Sequence, residues 1–136
     1  MQTIGPIPID DNVGKETVLH YDTNIENASK FYTDANGREV LECIRNSRPT
    51  WNYSVVETIN GNYYLINSRI WIQDDQGQLT ILTNRSEGGG SIRDGSMELM
   101  IHRRTLYDDS LGVDEPLNET AYNQGLVVRD KHILIF

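Results

Sequence analysis

Positive charge, cysteine and long apolar runs are what this sequence has least of. Twelve Lys and Arg stand against twenty Asp and Glu, a formal charge of -8. Such a surface repels a phosphate backbone, which leaves no electrostatic basis for nucleic-acid or anionic-membrane binding. Cys43 is the only cysteine, so neither an internal disulfide nor a cysteine-rich zinc set can form. Within "VLECIRN" it reads as a small core hydrophobe, because no neighbouring base marks it as a reactive thiol. No apolar run approaches the roughly 20 residues that span a bilayer. The opening "MQTIGPIPIDDNVGKE" also lacks the basic segment and apolar core of a signal peptide.

A chain of 136 residues can bury one real core and is too short for two ordinary ones. Four acceptor patterns for N-glycosylation, at Asn27, Asn52, Asn84 and Asn118, have meaning only for a chain that passes through the secretory pathway. With no signal peptide in view, the expectation is that Met1 is not a natural start and that the sequence is a piece of a longer protein. The apolar ending "KHILIF" points the same way, since an apolar edge strand is a liability in a free domain.

Helix signals are scarce. Apolar residues alternate with polar ones in short runs broken by Gly, Asn and Asp, the pattern of half-buried antiparallel strands. Strands are predicted at Glu16 to Asp22, Lys30 to Thr33, Glu39 to Arg45, Tyr63 to Gln73, Gln78 to Thr83, Ser96 to Arg103 and His132 to Phe136. Two hairpins turn on Asp34-Ala35-Asn36-Gly37 and Asp74-Asp75-Gln76-Gly77, where Asn-Gly and Gly supply the positive φ of tight turns. The architecture that fits is all-β, an antiparallel β-sandwich or a part of one.

Chemical motifs are few. His20, His102 and His132 are scattered, and they read as surface or partly buried strand residues, with no metal ligand set in this chain. Gly88-Gly89-Gly90 would need a following helix opening with Lys to cradle a phosphate. It leads instead into the alternating "SMELMIHRR", so the glycines read as a mobile or tightly turned interstrand loop. The pairs Asp10-Asp11, Asp74-Asp75 and Asp108-Asp109 read as solvated turn acids, because neighbours in an extended chain point opposite ways and cannot flank one glycosidic bond. Trp51, Tyr53, Tyr63, Tyr64 and Trp71 read mainly as packing aromatics, though such rings also stack on sugars. In Arg103-Arg104 one guanidinium faces the sheet or a cleft and needs an oxygen partner. An ion pair with Glu98 or Asp94 is slightly the better reading.

The blocks "KFYTDANGREVLECIRNSRPTWNY", "GNYYLINSRIWIQDDQGQLTILTNRSEGGGSIRDGSMELMIHRR" and "DDSLGVDEPLNE" together cover most of the chain. They resemble the C-terminal β-rich region of the lysosomal-type α-mannosidases of glycoside hydrolase family 38. Leu65 stands where that family usually has proline, and Asn84 where aspartate is common. The resemblance implies a galactose-mutarotase-like β-sandwich and a retaining exo-glycosidase acting on terminal α-linked mannose of N-glycan oligosaccharides in the lysosome. It implies a zinc ion, held by two His and two Asp, and an Asp nucleophile and Asp acid/base, all in an N-terminal catalytic domain outside this chain. It further implies that one arginine of this region reaches the edge of the sugar site; Arg103 and Arg104 are the candidates, with the choice open. The isolated chain is accordingly expected to be inactive. A rival expectation is a non-catalytic carbohydrate-binding or interaction module.

Overall fold

The computed structural model describes residues 1–136, the side chain of Ala35 excepted. Thirteen strands follow in order: β1 (Gln2–Ile4), β2 (Lys15–Asp22), β3 (Lys30–Thr33), β4 (Leu41–Ile44), β5 (Tyr64–Ile66), β6 (Arg69–Gln73), β7 (Gln78–Thr83), β8 (Glu87–Gly90), β9 (Ser96–Arg104), β10 (Thr120–Ala121), β11 (Gln124–Gly125), β12 (Val128–Asp130) and β13 (His132–Ile135). A five-stranded sheet runs β13-β7-β6-β3-β4 and a four-stranded sheet runs β2-β9-β8-β5. The short pairs β1-β12 and β10-β11 stand beside them. Pairing is antiparallel throughout.

Alternation builds the core. Phe31, Cys43, Ile70, Ile72, Leu79 and Ile81 face inward from the five-stranded sheet and meet Ile66, Met97, Leu99 and Ile101 of the other. Each such buried Ile or Leu is worth about 1.5–3 kcal/mol relative to exposure. The two layers and their shared core make the fold an all-β antiparallel sandwich.

Both predicted hairpins form. Asn36 and Gly37 take φ of 63° and 65° between β3 and β4. Between β6 and β7, Asp74 Oδ1 accepts the amides of Gln76 at 2.7 Å and Gly77 at 2.9 Å. Two expectations fail. The single strand expected from Tyr63 to Gln73 is two, β5 and β6, in different sheets. The chain changes layer at Asn67 and Ser68, where Asp34 gathers the amides of Asn67, Ser68 and Arg69.

The glycine run is the second correction: Gly88, Gly89 and Gly90 lie within β8, paired with β5 on one side and β9 on the other. Bare backbone is required there, since a Cβ on Gly89 would collide with the Glu98 carbonyl and one on Gly90 with the Asn62 carbonyl. Neighbours packed against it, rather than its own propensity, make this segment a strand.

Candidate functional site

Register along β9 separates the two arginines. Arg103 lies opposite Glu16 and Arg104 opposite Lys15, so their side chains leave opposite faces. Arg104 points to interior oxygens: its Nε donates to Asn118 Oδ1 at 2.7 Å and a terminal nitrogen donates to the Ile7 carbonyl at 3.0 Å. Arg103 is half exposed, with a single ion-pair contact to Glu16 at 4.0 Å. Neither meets the expected acids. Glu98 instead accepts the Tyr63 hydroxyl and lies 3.0 Å from His20 Nε2, while Asp94 holds Arg45 and the Ser29 amide.

Arg103 stands at a groove of about 560 Å³ along β8 and β9, lined also by Tyr63, Leu65, Arg85, Glu119 and Leu126. Two guanidinium groups and an apolar wall give it a mixed character suited to a polyol or a polar segment of another chain.

Beneath the groove lies a cluster that sequence reasoning missed. Glu87 of β8, Asp130 of β12 and His132 of β13 bring their side chains together, with both carboxylates fully buried and the imidazole 2% exposed. His132 is thus a partly buried strand residue, as expected, but its imidazole is enclosed. His132 Nε2 lies 3.2 and 3.0 Å from the two oxygens of Glu87 and 2.9 Å from Asp130 Oδ2, and its Nδ1 lies 2.7 Å from the Tyr21 hydroxyl. Arg85 Nε approaches Glu87 and Asp130 at 3.7 Å each, beyond hydrogen-bonding reach, and its terminal nitrogen donates to the Ile101 carbonyl. Burial pushes the Glu87 carboxyl above the usual carboxylate range, with the Asp130 charge adding and His132 opposing. Burial also pushes Asp130 up, but the Gln2 amide, His132 and Glu87 outweigh it and hold it below that range. The signal was partly present, because Arg85-x-Glu87 and Asp130-x-His132 are both spaced by two, as residues sharing a strand face are. Nothing in the sequence joined the two pairs.

The remaining candidates divide by exposure. Asn52 and Asn84 are exposed. Asn118 is half-buried against Arg104. Asn27 is 3% exposed, and its amide donates to the Lys30 carbonyl at 2.6 Å and to Ser91 at 3.3 Å. A glycan on that nitrogen would displace both bonds.

The aromatic rings are used in packing: Trp71 stacks with Tyr32 at 5.1 Å and has the Arg69 guanidinium 5.7 Å from its ring centre, and Phe31 meets Tyr64 edge-on. Trp51 is 66% exposed and stacks on Tyr53.

Residues 6–111 match the glycosyl hydrolases family 38 C-terminal domain. The chain belongs to that family. It is similar to the lysosomal α-mannosidase of Bos taurus, 54% identical over 133 residues, covering 98% of this chain and 13% of the relative. The lysosomal α-mannosidase of Homo sapiens is 52% identical over the same share of each, and the α-mannosidase of Canavalia ensiformis is 44% identical over 138 residues, 97% of this chain and 14% of the relative. The chain thus spans about an eighth of the length of these glycosidases. Among the described residues the one group of three or more potential metal ligands is Glu87, Asp130 and His132. One His and two carboxylates do not match the two-His, two-Asp zinc set that the family resemblance implies. No helix among the described residues is long and apolar enough to cross a membrane.

Proposed function

We propose that these 136 residues form a single C-terminal β-domain of a family 38 α-mannosidase that removes terminal α-linked mannose from N-glycan oligosaccharides in the lysosome. Zinc, nucleophile and acid/base are supplied by an N-terminal catalytic domain of the parent polypeptide, against which this domain packs. The isolated chain is inactive. The identity of half or more over nearly the whole chain, set against its small share of the relatives' length, carries this reading.

Within the domain, Arg103 is the arginine that faces the sugar site and Arg104 is a structural tie. Half exposure beside the groove favours Arg103, whereas Arg104 is turned to Asn118 and the Ile7 carbonyl. Glycans are carried by exposed Asn52 and Asn84, with Asn118 a poorer acceptor and Asn27 none. In the full-length enzyme, Arg103→Ala should raise KM for an aryl α-mannoside with little change in melting temperature, and Arg104→Ala should lower the melting temperature. Unchanged kinetics in Arg103→Ala would overturn its assignment. The rival, a free carbohydrate-binding module, would have to stack sugars on Trp51, because Trp71 is already stacked on Tyr32. Saturable binding of mannose oligosaccharides by the isolated chain would support it.

A further inference from the structure

The Glu87–Asp130–His132 cluster has more acceptors than one imidazole can serve. Three carboxylate oxygens, Glu87 Oε1 and Oε2 and Asp130 Oδ2, lie within 3.2 Å of His132 Nε2, and that nitrogen carries one hydrogen at most. Asp130 Oδ1 is buried with no hydrogen-bond partner, and so is Arg85 Nε, which stands 3.7 Å from Glu87 and from that same Asp130 oxygen. The Arg85 guanidinium stands beyond hydrogen-bonding distance of both buried carboxylates, and an ion among them would satisfy the orphaned oxygen as well.

We propose that Glu87, Asp130 and His132 form a site for a divalent transition ion of the zinc or manganese type. One ligand atom from each residue already lies within 4.8 Å of the others, the spacing from which small side-chain adjustments reach coordination distances of about 2.0–2.2 Å. Imidazole with two carboxylates is a borderline donor set, which favours zinc over calcium. The Tyr21 hydroxyl, 2.7 Å from His132 Nδ1, provides the outer partner that metal-bound histidines use: with Nε2 on the ion, Nδ1 keeps its proton and donates it to the tyrosine oxygen. The Gln2 amide donates to Asp130 Oδ2 at 2.9 Å and steadies that carboxylate. The ion would join β8 of the four-stranded sheet to β13 of the five-stranded sheet, a clasp between the two layers under the groove. None of this rests on the proposed enzymatic role.

The test uses the 136-residue chain freed of metal and titrated with Zn²⁺, Mn²⁺ and Ca²⁺, read by calorimetry and by melting temperature with and without each ion. Expected are one equivalent of Zn²⁺ bound, weaker Mn²⁺, no Ca²⁺, and a melting temperature raised by zinc. His132→Ala and Glu87→Gln should abolish the zinc-dependent increment, whatever they do to the metal-free melting temperature, and Tyr21→Phe should weaken binding about 10-fold. Nitrogen-15 spectra of the imidazole supply a readout independent of stability: Nε2 should carry no proton in the zinc-loaded chain. A folded chain that binds no zinc, binding indifferent to His132→Ala, or an Nε2 still protonated in excess zinc would each overturn the site. If the isolated chain does not fold, metal content is counted on the full-length polypeptide. There His132→Ala must hold one atom per chain fewer than its parent, and equal content refutes the proposal.

Discussion

Asp34 binds Ser68 twice, its Oδ1 accepting the Ser68 amide at 2.9 Å and its Oδ2 the Ser68 hydroxyl. The same Oδ1 takes the amides of Asn67 and Arg69, each at 3.1 Å. One buried carboxylate therefore satisfies the backbone where the chain leaves β5 in one sheet and enters β6 in the other. Replacing it with Ala strands three amide donors at the crossover. Asp34→Ala should cost about 3–5 kcal/mol, seen as a fall in the urea midpoint with an unchanged slope. A loss under about 1 kcal/mol would mean that the amides find water.

Asp34 also sets a pH response. Burial alone would raise its carboxyl, but the Ser68 hydroxyl and the amides of Ser68, Arg69 and Asn67 win and hold it below the usual carboxylate range. A carboxylate with a lowered folded-state pKa stabilises fully above its unfolded value of about 3.9 and loses that contribution as pH falls through the folded one. Denaturant midpoints measured from neutral to acid pH should therefore drop below about pH 4. Asp34→Ala should show a shallower fall, and parallel curves for the two proteins would remove Asp34 from the explanation.

Gly89 should tolerate no side chain. A Cβ there meets the Glu98 carbonyl and, at 2.8 Å, Ile66 Cδ1, so Gly89→Ala forces apart the pairing of β8 with β9. Overpacking of this kind costs about 1–3 kcal/mol or more. Gly77→Ala is the matched control, since nothing lies within 4 Å of its added Cβ. Thermal melts of the two variants should diverge, and equal melting temperatures would show that the sheet yields.

Cys43 should be silent while the chain is folded. Burial pushes its thiol up to about 11, and the residue is 2% exposed, so neither thiolate nor access is available at neutral pH. Labelling by an aromatic disulfide reagent should follow opening of the core, and Asp34→Ala should accelerate it. A burst of labelling in the native protein would place Cys43 at the surface.

Much of the fold was legible because alternation speaks for itself. β3 and β7 fall on their predicted residues, and Asn36-Gly37 and Asp74 to Gly77 announced their turns through local backbone chemistry alone. β8 was illegible because its glycines carry no pattern and are strand by virtue of Tyr63, Ile66 and Phe31 packing over them. The break between β5 and β6 was illegible because "NYYLINSRIWIQ" is apolar on both sides of a switch that Asp34, far back in the sequence, dictates. At the candidate site the arginine pair was pointed to by the family resemblance, and only the structure shows that Arg103 and not Arg104 lines the groove. The buried cluster needed more, since β8 reaches β13 only through the closing of both sheets.

The pairing of β2 with β9, in which Lys15 meets Arg104 and Asp22 meets Ser96, gives this sandwich its costliest loop closure within a main sheet. The hairpins β3-β4 and β6-β7 close over a few residues, whereas β2 must wait for β9, and β9 follows the glycine strand that it flanks. Loop-closure entropy is spent before those distant contacts repay it. Of the pairings within the two main sheets, β2 with β9 therefore spans the longest stretch of chain, and β2 flanks the strand that bears Arg103.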